Sequence, residues 1–144
     1  HADLLLDNLP YNAHTTTSDA LWAGVPVVTC MGQSFAGRVA ASLLNAVGLP
    51  ELVTHSLPEY EALALRLATN PQELRRMRAH LKAVRSSTPL FDTERFTRDL
   101  ESAYVHMHER RLQGLPPEGF AVPEILGAGM QPLRSVPPSL QTSP

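Results

Sequence analysis

Apolar and polar positions along the chain predict short strands that alternate with helices. Continuous apolar runs at 3–6, 26–29 and 51–53 have the length of buried strands. Apolar residues at helical spacing fill the segments between and after them, which predicts five helices, at 16–23, 35–47, 57–69, 71–86 and 93–112. This order of elements is typical of an α/β fold with a parallel sheet.

Residues with strong positional preferences mark the ends of several helices. Gly24 and Gly48 follow the first two helices, where glycine commonly ends a helix, and Ser34 is placed to cap the second. Ser56 and Glu59 have the spacing of a capping box at the start of the third helix. We therefore expect these boundaries to hold within a few residues.

Large apolar side chains recur on one face of the last helix. We expect that face to be buried, and it consists of Phe96, Leu100, Ala103, Tyr104 and Met107. Trp22 and Phe35 are likewise expected in the core. Cys30 is expected as a small core or rim residue.

Basic residues lie beside the apolar seam of helix 71–86. The stripe, named here the basic stripe, consists of Arg75, Arg78, Lys82 and Arg85. We interpret it as a solvated helix face, because the apolar seam already accounts for the helix; contact with an anionic partner is the alternative. For Arg38 we expect a structural ion pair, and an approach to a bound ligand is the alternative.

A histidine and three threonines stand where the first helix begins, in the stretch His14–Thr15–Thr16–Thr17. A helix start exposes amides without intrahelical partners and carries partial positive charge, so it binds anions, phosphate above all. The threonine hydroxyls and the imidazole of His14 add donors. Threonines in this position can also act only as caps, and the spacing alone leaves both interpretations open.

Asp19 follows in the same helix, five residues after His14. We expect it in the first turn, where its carboxylate would cap amides or accept hydrogen bonds from a polyol such as ribose. His14, Ser18 and Asp19 do not form a hydrolase triad, because they are too close in sequence and no nucleophile-elbow motif is present.

Composition describes one ordinary domain followed by a tail. The chain has 144 residues, 43% of them hydrophobic, and a formal net charge of −2, which gives no reason to expect nucleic acid or an acidic membrane as partner. No apolar run is long enough to span a bilayer. We expect a domain at 1–113 and a disordered tail, rich in proline and glycine, at 114–144.

Several segments resemble one enzyme family in order along the chain. These are "PYNAHTTTSDALWAGVPVVT", "FAGRVAASLL", "GLPELV", "EYEALALRLA" and "STPLFDT". The likeness runs from about Ala2 to Arg111, and it is to the C-terminal catalytic lobe of protein O-GlcNAc transferases, including SPINDLY-like proteins. The resemblance implies the second half of the nucleotide-binding, Rossmann-like domain of a GT-B glycosyltransferase, with a long C-terminal helix. The final helix of GT-B enzymes often crosses back to the first domain, and helix 93–112 would then leave Tyr104 and Met107 exposed in this chain.

The resemblance also implies an activity and roles for residues. Such enzymes transfer N-acetylglucosamine from UDP-GlcNAc to serine or threonine hydroxyls of proteins, with inversion and without a metal or other cofactor. His14, Thr15 and Thr16 would contact the diphosphate, and Asp19 the ribose. The family usually has glycine where this chain has Ala13. The base proposed for the family lies upstream, so no catalytic residue is expected in this chain.

Two other interpretations keep the fold but change the function. Related lobes use GDP-fucose; they tend to have threonine at the position of His14 and glutamate at that of Asp19, so the pair found here favours UDP. Alternatively, the chain belongs to a degenerate lobe that only binds proteins. Full-length relatives carry helical TPR repeats ahead of the catalytic region, and no repeat occurs here.

The first residues suggest that the chain is part of a longer protein. It begins with His1 and enters an apolar strand almost at once. We therefore expect a missing N-terminal catalytic lobe of the same parent chain, and no turnover by this piece alone. The single cysteine, Cys30, and the lack of a secretory signal lead us to expect a cytoplasmic protein.

Overall fold

A computed structural model describes residues 2–122, and three parallel strands lie at its centre. The strands are β1 (Leu5–Leu6), β2 (Val27–Cys30) and β3 (Val53–Thr54), in the spatial order β1-β2-β3. The helices are α1 (Thr15–Trp22), α2 (Val39–Ala46), α3 (Leu57–Thr69), α4 (Pro71–Val84) and α5 (Thr93–Leu112). The predicted α/β fold with a parallel sheet is confirmed.

The central strand β2 pairs with a different neighbour along each half of its length. Leu5 and Leu6 pair with its first two residues, and β3 pairs with Thr29 and Cys30. All four residues of β2 are buried, as expected for a strand that helices cover. The carboxyl end of β2 therefore lies between the ends of the other two strands.

Short 3-10 turns explain where the predicted boundaries differ from the structure. The predicted helix 35–47 begins as the turn Ala36–Arg38 and continues as α2. The predicted strand 51–53 is instead the turn Pro50–Leu52, followed by β3. Tight turns commonly occupy helix ends and connections, which makes such boundaries hard to place from sequence.

The capping residues identified in the sequence make the expected contacts. The hydroxyl of Ser34 accepts from Gly37 N at 3.0 Å, and that of Ser56 accepts from Glu59 N at 3.4 Å. The carboxylate of Glu59 accepts from His55 N at 3.0 Å. Helix α3 consequently has its predicted bounds, 57–69. Helix α5 also has its predicted bounds, 93–112.

The hydrophobic core lies between the sheet and helices α1 to α4. Its fully buried members come from every one of these elements, and the largest are Leu21, Val28, Leu44, Leu52, Leu67, Met77 and Leu81. Cys30 is buried, as predicted. Trp22 and Phe35 are 51% and 75% exposed, so their predicted place in the core is wrong.

Helix α5 buries none of its residues, so the prediction of a buried face on it is wrong. Phe96, Tyr104 and Met107 are each more than half exposed. Contacts divide the chain into two units, His1–Thr97 and Arg98–Pro144. The helical periodicity of α5 was real, but periodicity does not reveal what covers an apolar face.

The segment after α5 contains no helix or strand as far as Val122. Arg110 donates to the carbonyl of Pro116 at 2.9 Å and pairs with Glu118 at 2.8 Å. The rest of the predicted tail, 123–144, lies outside the described residues. Among residues 2–122, no helix is both long and apolar enough to cross a membrane.

Two leucines of α3 offer a matched test of this core. Leu67 is fully buried, whereas Leu65 is 59% exposed on the same helix. We expect Leu67→Ala to lower the free energy of unfolding by about 2–5 kcal/mol, because it leaves a cavity, and Leu65→Ala to change it by less than about 0.5 kcal/mol. Denaturant unfolding measures both, and equal effects would contradict the described packing.

Candidate functional site

The candidate site lies where β1 and β2 end and α1 begins. Asp7 follows β1 directly, and Thr29 and Cys30 close β2. The loop 8–14 leads from the sheet into α1. Ligands of open α/β sheets bind outside the carboxyl ends of the strands, so this edge is where a ligand is expected.

A buried carboxylate connects this loop to the sheet. Asp7 is 5% exposed, and its Oδ2 accepts from Thr29 Oγ1 at 2.6 Å and from Asn12 Nδ2 at 2.8 Å. Its Oδ1 accepts from the amides of Ala13, at 2.7 Å, and Asn8, at 2.9 Å. All four partners are donors, so both carboxylate oxygens are satisfied inside the protein.

Asn12 extends the same network. Its fully buried amide nitrogen donates to the Thr29 hydroxyl at 2.7 Å and lies 3.2 Å from the carbonyl of Cys30. We name the buried group of Asp7, Asn12 and Thr29 the polar anchor. Sequence reasoning missed it, because its members are up to 22 residues apart and only the fold brings them together.

Tyr60 joins the polar anchor from α3. Its hydroxyl donates to the carbonyl oxygen of Asp7 at 2.9 Å. Burial, followed by electrostatic interaction with Asp7 and Cys30, raises the pKa of the Tyr60 phenol above its usual 10.0. The phenol therefore remains a donor at neutral pH and fastens α3 to the end of β1.

Helix α1 begins without a side-chain cap. Ser18 N makes the first intrahelical bond, to the carbonyl of His14 at 3.1 Å, so the amides of the three preceding residues have no intrahelical partner. Thr15 and Thr16 are exposed, as the anion-site interpretation requires. Thr17 is fully buried, so it offers neither its amide nor its hydroxyl to a ligand from solvent.

Two exposed aromatic rings flank the imidazole of His14. The Tyr11 ring stacks on it, with centroids 5.2 Å apart and planes 25° apart, and the Phe35 ring meets it edge-on at 6.2 Å. Tyr11 is 68% exposed. The predicted core residue Phe35 is therefore part of the site's rim instead.

The loop that carries Phe35 is closed by two glycines. Gly32 N donates to the carbonyl of Gly37 at 2.8 Å. A Cβ on Gly37 would lie 3.1 Å from Gly32 Cα and 3.2 Å from Ser34 Oγ, so a larger residue would force the loop to move. This close approach closes the loop between β2 and α2, and the loop carries Phe35 to the imidazole of His14.

Unsatisfied polar atoms concentrate in this short stretch. Among the described residues, four buried side-chain polar atoms lack a hydrogen-bond partner, and three of them are Asn12 Oδ1, His14 Nε2 and Thr17 Oγ1. Buried polar atoms are rarely left unpaired, because each costs about 1–3 kcal/mol. Their concentration within residues 12–17 makes this stretch the candidate ligand site.

Other predicted residues lie as follows. Asp19 is exposed but is the fifth residue of α1, so the expectation of a first-turn position is wrong. No acidic residue occupies the first turn of α1.

Arg38 is exposed, and no ion pair involving it occurs within the described part of the chain, so its expected structural ion pair is not found. In residues 2–122 no group of three or more His, Cys, Asp or Glu side chains is placed to hold a metal ion.

Two residues of the basic stripe make contacts with other parts of the chain. Arg78 pairs with Asp3, and the Arg85 guanidinium lies 5.1 Å from the centroid of the Trp22 ring. Trp22 in turn meets Phe91 edge-to-face at 5.0 Å. Two members of the stripe thus tie α4 to the start of the chain and to α1.

Comparisons with known proteins show the family of this chain. The model of glycosyl transferase family 41 matches residues 1–100, and the chain belongs to that family. A probable UDP-N-acetylglucosamine–peptide N-acetylglucosaminyltransferase, SEC of Arabidopsis thaliana, is 43% identical over 124 residues, which cover 85% of this chain. A UDP-N-acetylglucosamine–peptide N-acetylglucosaminyltransferase of Caenorhabditis elegans is 43% identical over 80% of the chain.

A solved structure matches the fold as well as the sequence. A point mutant of the Thermobaculum terrenum O-GlcNAc transferase superposes with a TM-score of 0.74, at 44% identity over 78% of this chain. The chain spans 22% of that protein, and 13% and 10% of the Arabidopsis and Caenorhabditis proteins. The expected kinship with O-GlcNAc transferases and the expected fold are both confirmed.

The raised pKa of Tyr60 predicts how stability responds to alkali. In the unfolded chain the phenol loses its proton near pH 10.0, whereas the folded chain retains it to higher pH. The unfolded state therefore binds fewer protons in that window, and the free energy of unfolding falls as pH rises through it. Below this pH range, Tyr60→Phe should lower the free energy of unfolding by about 1 kcal/mol, because the hydrogen bond to the Asp7 carbonyl is lost.

The comparison of wild type with Tyr60→Phe isolates this effect, because the other tyrosines are common to both. Urea unfolding of each protein, below and above pH 10.0, gives the difference. We expect the advantage of the wild type to shrink above that pH. A difference that stays constant would contradict the assignment of a partly buried phenol whose pKa is raised in the folded chain.

Proposed function

We propose that this chain is the donor-binding part of an inverting glycosyltransferase. The enzyme would move N-acetylglucosamine from UDP-GlcNAc to serine and threonine hydroxyls of proteins. The family membership and the activities for which the relatives are named support the reaction. The observation that carries the proposal is the uncapped start of α1, where free amides coincide with unsatisfied buried polar atoms.

The diphosphate of the donor would bind at the start of α1. The amides and hydroxyls of Thr15 and Thr16 would donate to its oxygens, together with the imidazole of His14. When the sugar–phosphate bond breaks, negative charge grows on the departing UDP. Donors that are fixed before the reaction stabilise that charge without having to reorganise, so the proposal needs neither a metal nor another cofactor.

Asp19 would bind the ribose of the donor. It lies one turn beyond Thr15 on α1 and is exposed. A carboxylate accepts hydrogen bonds from neighbouring hydroxyl groups, and it would stand beyond the positive end of the helix, away from the diphosphate. This separation of charge suits a ligand whose phosphates are anionic and whose sugar is neutral.

The acceptor hydroxyl would attack the anomeric carbon directly and displace UDP from the opposite face. None of the residues in this chain is assigned as the base that takes the acceptor's proton. The proposal therefore includes a further catalytic lobe of the same parent chain, and the exposed apolar residues of α5 supply a surface for it. We also infer a cytoplasmic location, which the sparse cysteine content supports.

The double variant His14→Ala/Thr16→Ala tests the proposed site in the full-length protein. It removes an imidazole and a hydroxyl donor, each in a charge-assisted hydrogen bond worth about 1.5–3 kcal/mol. We expect UDP affinity to fall by roughly a hundredfold or more. Calorimetric titration measures it, with His55→Ala as control because His55 is exposed on another loop.

The same titration with GDP decides between donors. Tighter binding of UDP than of GDP supports UDP-GlcNAc, whereas the reverse would favour a fucose donor. Wild-type UDP affinity in the double variant would contradict the site. Failure of the wild-type protein to bind either nucleotide would favour a lobe that only binds proteins.

A further inference from the structure

We propose that Asp7 is a positioning residue for donor binding. Its carboxylate holds the loop 8–14 so that the imidazole of His14 and the first turn of α1 meet the diphosphate in one fixed arrangement. This inference rests on the proposed function. Asp7 is 5% exposed and bonded within the protein, so it acts through its neighbours.

The contacts of Asp7 reach both sides of the gap between sheet and loop. On the sheet side it bonds to the hydroxyl of Thr29 in β2. On the loop side it bonds to Asn12 and to the amide of Ala13, which are the two residues immediately before His14. The start of α1 is thus fixed within two peptide units of a rigid strand, and side chains fixed by packing and hydrogen bonds hold a site in its productive geometry.

The chemistry of this position requires a carboxylate. Its two oxygens accept from two side-chain donors and two backbone donors. An asparagine has the same shape but only one oxygen, so its NH₂ group would face donors that it cannot satisfy. Asp7→Asn should therefore release one side of the loop while altering the volume of the core very little.

The exchange of Asp7 and Asn12 provides the rescue. In Asp7→Asn/Asn12→Asp a carboxylate and an amide again face each other across the 2.8 Å contact, with their places reversed. The asparagine oxygen can still accept from the amide of Ala13, and the new carboxylate can accept from Thr29. The carboxylate cannot donate to the carbonyl of Cys30 as Asn12 does, so the exchange restores only part of the network. The two single variants break the pair and the double variant restores it, which a double-mutant cycle measures.

The experiment is UDP titration of the full-length protein and its variants. We expect Asp7→Asn and Asn12→Asp each to weaken UDP binding between about tenfold and a hundredfold, because small displacements of positioning groups have effects of that size. The double exchange should bind UDP more tightly than either single variant but less tightly than the wild type, because position 12 can no longer donate to the Cys30 carbonyl. A double exchange that binds UDP no more tightly than the single variants would overturn the inference.

Thr88→Val is the matched control. Thr88 is also 5% exposed and donates a buried hydrogen bond, at 2.5 Å to the carbonyl of Ala46, but it does not contact the loop 8–14. We expect Thr88→Val to lower the melting temperature without weakening UDP binding. Weakening equal to that of Asp7→Asn would show that general destabilisation is the cause, and would overturn the inference.

The outcomes separate this inference from the proposed function. If the wild-type protein does not bind UDP, the proposed function fails. If the wild type binds UDP and His14→Ala/Thr16→Ala does not, while Asp7→Asn binds normally, the proposed function stands and the positioning role of Asp7 is refuted.

Discussion

The buried carboxylate of Asp7 is the constraint on which the arrangement of the site depends. A charge with so little exposure is tolerated only when its oxygens are fully bonded, because burial without partners costs several kcal/mol. Its donors come from β2 and from the loop before α1. The carboxylate is satisfied only when strand and loop take up this one arrangement, so the same requirement that stabilises the fold also places His14.

The start of α1, which Asp7 holds in place through the preceding loop, is the proposed binding surface. Most helices satisfy their first amides with a side-chain cap, as Ser56 and Asn70 do for α3 and α4. Helix α1 has no such cap, and exposed threonines surround its free amides. The missing cap makes this helix end less stable, but it leaves the first amides available to an anionic ligand.

Local signals in the sequence were sufficient for much of the fold. The capping box of Ser56 and Glu59, and the turn residues between strands, depend on neighbours a few residues apart, and the helices that they bound were predicted correctly. Local reasoning identified the stretch from His14 to Thr16 as a candidate anion site but left a purely capping role open. The resemblance to O-GlcNAc transferases favoured the diphosphate. The roles of those residues remain predictions.

Long-range relations escaped the sequence analysis. Asp7 is hydrogen-bonded to Thr29, 22 residues away in sequence, and its carbonyl to Tyr60, 53 residues away. No periodicity in the sequence indicates either hydrogen bond. Phe35 was assigned to the core because aromatic residues usually lie there, but it is exposed beside His14. The exposed face of α5 was misjudged for a related reason: an apolar stripe shows that something must cover it, not what does.

A crystal structure of the full-length protein with UDP tests the central claim most directly. The account predicts diphosphate oxygens within hydrogen-bonding distance of the amides of Thr15 and Thr16 and of the His14 imidazole, with the ribose hydroxyls at Asp19. UDP bound at another part of the sheet edge, with the start of α1 in contact only with water, would contradict it.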